Sequence, residues 1–307
     1  MLEYLSSLPG AISLGLIWAI MGIGVYITYK VLNVADLTVD GSFATGGIVA
    51  AVLITNGVHF VLALLIAFIA GLLCGLITGL LHTLLGIPAI LAGILTQMTL
   101  WSINLLVTGG RSNISVSALS FDLAFSQINV PDALWKLALV VLIIVGVLYW
   151  FFGTELGASI RATGNNQDMA RAQGINTRFN VVLGLMISNG LVALAGAMLA
   201  QYQGFADINM GKGAIVIGLC AVVIGTAIVS KISPNFLVRL LGVSIGAVVY
   251  YIVYQTVVFL GLDTNLLKML AAVVVAVFLG IPYIKKVHGE WAKKRFRNHK
   301  VIDGGDK

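Results

Sequence analysis

Nine apolar stretches dominate this chain, at about 9–31, 41–57, 60–85, 88–108, 133–152, 179–203, 213–230, 235–260 and 264–284. A spanning helix needs about 20 mostly apolar residues, because a rise of about 1.5 Å per residue must cover a hydrocarbon core of about 30 Å. Lipid offers no partner for a free N–H or C=O, so such stretches must satisfy their backbones as helices. The pattern predicts an all-α polytopic membrane bundle of about nine spans, built as a single transmembrane domain over 1–307. Composition agrees. Apolar residues make up 59% of the chain and charged residues 10%, against about 25% charged in soluble domains. Residues 1–8 lack a basic leader-like segment, so the first stretch reads as a span.

The net charge of +6 is unevenly spread. Lysine and arginine favour the cytoplasmic side of a membrane protein. With the basic tail 285–307 inside, alternation along nine spans puts fourteen of the eighteen basic residues inside, among them Lys30, Arg161, Arg171, Arg178, Lys231 and Arg239. Arg111, Lys136, Lys212 and Lys268 stay outside. The N-terminus is then expected outside and the C-terminus in the cytoplasm. The same tail rules in a membrane flank more simply than nucleic-acid binding.

Two stretches recur at an offset of 171 (207 minus 36), namely Ala35–Gly41 and Ala206–Gly213. Six of twenty-one positions are identical without gaps: Ala35, Asp36, Gly47, Ala50, Val52 and Thr55 match Ala206, Asp207, Gly218, Ala221, Val223 and Thr226. The spans that follow run in opposite directions, which is the mark of an inverted repeat with broken helices at its interface. Asp36, Asp40 and Asp207 are therefore candidates for a substrate pathway, since a carboxylate at membrane depth is costly and usually functional. The alternative is that they cap the helices that follow. Gly71, Gly75 and Gly79, four residues apart, predict close helix packing and a third span buried inside the bundle.

Several chemistries are missing from the sequence. It holds no GxxxxGK[ST] loop, no HExxH and no clustered His/Cys set. Cys74 and Cys220 sit in apolar runs and read as small core residues. No metal, cofactor or catalytic residue is expected, and any uphill transport would draw energy from a partner.

The longest polar stretch on the inner side, Thr154–Asn176, suits one short helix at about 165–173, with Asn165 as its cap and Gly174 as its stop. Here Gly157, Gly164, Asn165, Ala170, Gly174, Ile175 and Asn176 resemble the cytoplasmic loop of ABC importer permeases of the ribose and branched-chain amino-acid class. The stretch Asn33-Val-Ala-Asp-Leu-Thr-Val-Asp-Gly-Ser resembles that family's Gly-Ile-Asp-Leu-Ser-Val-Gly-Ser, with Asp40 as an extra acid. The resemblance covers nearly the whole chain. It implies a multi-pass bacterial cell-membrane permease without its own ATPase site, in a branch serving amino acids such as aromatic ones. It implies ABC ATPase subunits, an extracytoplasmic substrate-binding protein, a permease homodimer and surrounding lipid as partners. Residues 154–176 become the coupling loop, with Gly164, Asn165, Ala170, Arg171, Gly174, Ile175 and Asn176 as coupling residues and Ala170 facing the ATPase. Asn33, Asp36, Asp40 and Asp207 become the pathway candidates. A stand-alone secondary transporter or channel is the alternative, and it would need no docking helix.

Overall fold

The computed structural model describes residues 2–116, 121, 123–229, 235–261, 269, 273 and 276. Seven helices among them are long and apolar enough to cross a bilayer. Helix α1 (Leu2–Tyr26) ends in a π-helical turn, Ile27–Val31. After an extended break at residues 33–37 come α2 (Thr38–Thr55), α3 (Phe60–Thr83) and α4 (Ala89–Val107). Strand β1 (Asn113–Ser115) leads to α5 (Val130–Gly153), the short helices α6 (Glu155–Asn165) and α7 (Gln167–Ala172), and α8 (Thr177–Gln203). Strand β2 (Phe205–Asp207), α9 (Ala214–Val229) and α10 (Phe236–Phe259) follow.

Seven of the nine expected spans correspond to these long helices. The seventh in chain order, about 213–230, is α9, with 16 residues. It falls short of the about 20 that a span requires, because the chain ahead of it, 208–213, is non-helical and runs beside α2. The ninth, 264–284, and the tail 285–307 lie outside the described residues, as does Lys231.

Helices α1, α2 and α8 form the buried centre, while α3, α4 and α5 keep most of their surface outward. In the core, Trp18 of α1 stacks on Phe43 of α2 at 4.9 Å between ring centroids. The tightest crossing is α3 on α8. A Cβ added at Gly71 would strike the carbonyl of Asn189, one at Gly75 the carbonyl of Leu185, and one at Gly79 would sit 3.0 Å from the Cα of Val182. The glycine spacing thus does what small residues do in membranes and lets backbones touch. The expectation of a fully buried third span is corrected. Only its small-residue face, including Ala63, Ala67 and Cys74, is buried, whereas Leu62, Leu65, Ile69 and Leu73 are exposed. One helix face can be packed while the opposite face meets lipid.

Strands β1 and β2 pair antiparallel, Asn113 opposite Asp207 and Ser115 opposite Phe205. That pairing joins the connection after α4 to the connection after α8, so both lie at one end of the bundle. At the other end, α6 rests on the π-turn of α1: a Cβ at Gly164 would strike the carbonyl of Val31. Lys30, Arg161, Arg171 and Arg178 therefore share that end, and Arg111 and Lys212 share the strand end.

Candidate functional site

The break between α1 and α2 begins at Asn33, the one non-glycine residue with positive φ (56°) among the described residues. Asparagine tolerates that left-handed backbone better than most residues. Asn33 is exposed and sits two residues beyond Val31, where α6 rests. The chain then turns inward. Asp36 is 4% exposed. One carboxylate oxygen accepts the backbone N–H of Thr38 at 2.9 Å, and the other accepts the amide of Asn189 at 2.7 Å. Asn189 in turn accepts the hydroxyl of Ser42 at 2.6 Å. Asp36, one residue ahead of the N-cap Leu37, thus holds the first N–H of α2 and ties that helix to α8. Beside it, the hydroxyls of Thr38 and Thr78 meet at 2.7 Å, and Thr78 donates to Thr96 at 3.0 Å. This polar thread joins α2, α3 and α4.

Asp40 acts across the fold. It stands in the first turn of α2, yet its two oxygens accept the N–H groups of Gly213 and Ile215, each at 2.9 Å. These are amides at the start of α9, where a helix dipole favours a carboxylate. Gly211 makes the approach possible, since a Cβ there would strike the Asp40 carbonyl. Asp207 sits apart at the end of β2, where its carboxylate accepts the N–H of Asn209 at 2.6 Å.

A cavity of about 450 Å³ opens beside Asp40. Gly41 and Ala44 of α2, Gln97, Met98, Trp101, Ser102 and Asn104 of α4, and Ile208 and Lys212 of the segment before α9 complete its wall. Of the four pathway candidates only Asp40 lines it. The Asn104 amide nitrogen is buried with no hydrogen-bond partner. Gln97, Trp101, Asn104 and Lys212 were not singled out by sequence. Three of them are ordinary-looking residues of an apolar helix, at positions 97, 101 and 104, and their three-to-four spacing on one face was the available signal.

At the opposite end, the polar stretch 154–176 folds as two helices where one was expected. Thr154 caps α6 by accepting the N–H of Gly157 at 3.4 Å. The cap of α7 is Asn166 rather than Asn165, which is the last residue of α6. The reason is backbone geometry. Asn166 is extended (φ −156°, ψ 107°), which ends α6 and frees its side chain to accept from Asp168 and Met169, both at 3.0 Å. Gly174, at φ +78°, closes α7. Gly174 donates to Arg171 and Ile175 to Ala170, both at 3.0 Å, in the paired arrangement that satisfies a helix end. Asn176 then caps α8 through the N–H of Phe179 at 3.1 Å. Arg171 ties α7 to α8 through the Thr177 hydroxyl at 3.0 Å.

Ala170 was expected to face a partner, and here the structure corrects the sequence. Ala170 is 3% exposed and turned into its own chain, whereas Met169 is 63% exposed. The carbonyl of Ala170 is taken by Ile175, so α7 folds back over its own small residue. Asn165, Arg171, Gly174 and Asn176 are exposed, Gly164 and Ile175 half-buried.

A helical membrane bundle with interior carboxylates at broken helices, and with short helices packed on one end, has the build of a permease. The model of the family described as branched-chain amino acid transport system / permease component matches residues 8–284, and the chain belongs to that family. It is similar to a tyrosine transport system permease protein of Clostridioides difficile, 37% identical over 276 residues, 90% of this chain and 91% of that protein. It is also similar to an uncharacterized protein of Rickettsia prowazekii, 34% identical over 86% of this chain and 92% of that protein. A fructose import permease protein of Bifidobacterium longum is 28% identical over 85% of this chain and 73% of its own length. No solved structure matches. The chain is thus a multi-pass membrane permease subunit of an ABC importer, with ATP hydrolysis left to a separate subunit. The stand-alone carrier is set aside.

Proposed function

We propose that two copies of this chain form an import pathway for an amino acid or similar small polar solute, with the strand end outside and the α6–α7 end in the cytoplasm. The tyrosine permease relative supports an aromatic amino acid as the cargo. Residues 154–176 dock the ATPase subunits. The observation that carries this reading is the seat of Gly164 on Val31. It joins the cytoplasmic helices to the break that leads through Asn33 to Asp36, so a push on α7 reaches the interior of the bundle. Asp40 extends the linkage to α9 through its two backbone bonds.

An inverted repeat underlies the pathway. Helix α8 packs on α3 and α2 as α1 packs on α10 and α9, and α2 meets α3 as α9 meets α10. Asp40 and Gly211 stand 171 apart (211 minus 40) and touch, as positions on a pseudo-two-fold axis do. The same offset relates Gly71 to Gly242 and Gly75 to Gly246. In this reading 1–307 is one transmembrane domain of nine spans, in which α9 and the non-helical segment 208–213 ahead of it together make one broken span, and 285–307 is the basic tail on the cytoplasmic side.

Orientation has a direct test. Cys74 and Cys220 are buried, at 3% and 1% exposure, so the native chain offers little background to a polar thiol reagent. Asp168→Cys is expected to label only from the cytoplasmic side and Asn209→Cys only from outside. The reverse pattern would invert the proposal.

Docking is tested at the outward face of α7. Met169→Glu puts a charge where an apolar side chain now stands exposed, while leaving the Asn166 cap intact. Co-purification of the ATPase subunit is expected to fall about tenfold or more, since about 1.4 kcal/mol lost at an interface is a decade in affinity. ATP-driven uptake in liposomes should fall with it. An unchanged complex with normal uptake would remove α7 from the interface.

A further inference from the structure

A cluster of side chains at the α6 end of the bundle takes no part in the coupling route. The last turn of α5 carries Tyr149 and Trp150, 44% and 71% exposed, and such aromatic side chains settle at the membrane–water interface. Beside them a cavity of about 510 Å³ opens against Arg161 of α6 and Phe236 of α10. The Arg161 guanidinium lies over the Phe236 ring, 5.9 Å from its centroid, which holds a cation at the cavity wall. The ion pairs among the described residues, Lys136 with Asp132 and Arg171 with Asp168, leave Arg161 out. A second cavity, of about 690 Å³, shares Trp150 with the first. It is bounded by α3, α5 and α8, and every side chain that lines it is apolar. It stays open because α5 packs mainly on α1, α6 and α10 rather than on α3. Along α8 it runs from Leu183 to Leu194, a rise of about 16 Å at about 1.5 Å per residue. That is about the depth of one leaflet, half of a hydrocarbon core of about 30 Å.

We propose that the two cavities together hold one anionic phospholipid, with its phosphate at Arg161, its glycerol backbone beside Trp150 and one acyl chain in the groove between α3 and α5. The site does not depend on the importer reading, nor on which leaflet the α6 end faces. A cation at the interface followed by an apolar groove one leaflet deep is the complement of an amphiphile. A guanidinium suits a phosphate because its N–H donors can bond two oxygens at once. A lipid chain is already in an apolar medium, so the groove adds packing contacts rather than a transfer from water. Discrimination therefore falls to the headgroup. A zwitterionic headgroup brings its own cation close to Arg161, and like charges repel; a net anionic one does not. A helix of a second copy seated in the groove would explain the apolar wall but not Arg161. An ATPase subunit would explain Arg161 but not a groove that runs on into the membrane.

The test is lipid binding by the full chain, delipidated in detergent and titrated with phosphatidylglycerol or phosphatidylcholine of matched acyl chains, with bound lipid counted by native mass spectrometry. One phosphatidylglycerol is expected to bind about tenfold or more tightly than phosphatidylcholine. Arg161→Gln should abolish that preference, a change of about 1.4 kcal/mol per decade. Arg178→Gln removes the same charge from the same end but lies outside both cavities, and it should keep the preference. Ile143 is 54% exposed on the α5 wall of the groove, so Ile143→Trp fills the groove without entering the core. It should weaken both lipids about threefold or more and leave the lipid-free melting temperature near wild type. Glycerol 3-phosphate, a headgroup without chains, should not displace the bound lipid. Equal binding of the two lipids by the wild-type chain would overturn the proposal. So would an intact preference in Arg161→Gln, and co-purification of the ATPase lost in that same variant would assign the charge to that subunit. An equal loss of preference in Arg178→Gln would reduce the effect to general surface charge, and displacement by glycerol 3-phosphate would reduce it to a phosphate site; either result also overturns the lipid. Loss of dimers in Ile143→Trp with unchanged lipid binding would give the groove to a second copy instead.

Discussion

Asn189→Leu is expected to cost this protein most of its stability, because one side chain satisfies two buried groups, one in the break before α2 and one on α2 itself. The Asn189 amide donates to Asp36 at 2.7 Å and its carbonyl accepts from Ser42 at 2.6 Å, with all three side chains at 4% exposure or less. Leucine has similar bulk and offers neither bond. Each abandoned partner costs about 1–3 kcal/mol, more where it is charged. The buried carboxylate loses its bond from Asn189 and is left with Thr38. Against a typical net stability of about 5–15 kcal/mol, two such losses leave little reserve. The measurement is the fraction of detergent-solubilised protein that stays monodisperse after a temperature ramp. The Asn189→Leu midpoint should fall steeply. The exchange of partners, Asp36→Asn with Asn189→Asp, should recover part of the loss, since the amide–carboxylate bond can re-form in reverse. A midpoint equal to wild type would remove the network from the forces that hold α2 to α8. Asp36→Asn alone should also destabilise, since it sets two amide groups against each other, and lost transport in that variant would not by itself place Asp36 in the pathway.

The sequence made the membrane bundle legible because lipid enforces it. Long apolar runs have few folded options, and seven of them appear as long helices. It made the glycine-faced crossing of α3 and α8 legible for a similar reason, as only a residue without Cβ allows those backbone contacts. What it left open were matters of direction. Asp36 and Asp40 are four residues apart in the same polar stretch, and local pattern treats them alike. Asp36 turns back on its own helix and onto Asn189, while Asp40 reaches the start of α9, 173 residues away. Neither choice is written within a few residues of the acid. The same limit hid the cavity, since Asn104 and Lys212 come to one wall only after the segment before α9 folds down beside α4. It also misplaced the α7 cap by one residue, because Asn165 and Asn166 are equally good cap types and only the extended backbone at 166 decides between them. Ala170 failed for a related reason: a small side chain fits a tight interface with a partner or with its own chain equally well, and a six-residue helix folded back by Gly174 uses it for the latter.

Gly164→Val should break the connection between ATPase and pathway while leaving both in place. On propensity alone, the substitution inside α6 is harmless or helpful, because glycine is among the worst residues for a helix interior, about 1 kcal/mol below alanine. Any loss must therefore come from what the new side chain meets. It meets the carbonyl of Val31 and the backbone of Leu32, at the point where α1 gives way to the break. Leu32 has no room to retreat, as its side chain lies against Gly184 of α8 on the other side. Overfilling a packed contact costs typically about 1–3 kcal/mol, and backbone yields less readily than side chain. Shifting α6 by that energy in the coupled state lowers transport turnover about tenfold or more, at about 1.4 kcal/mol per decade. The exposed face of α7 around Met169 is untouched, so the ATPase should still co-purify and still hydrolyse ATP. The expected signature is hydrolysis without uptake in liposomes. Gly153→Ala is the control, because a Cβ there meets nothing within 4 Å, and it should transport as wild type. Normal uptake by Gly164→Val would sever the proposed route from α6 to the break, and joint loss of ATPase binding and uptake would make Gly164 a docking residue instead of a transmitting one.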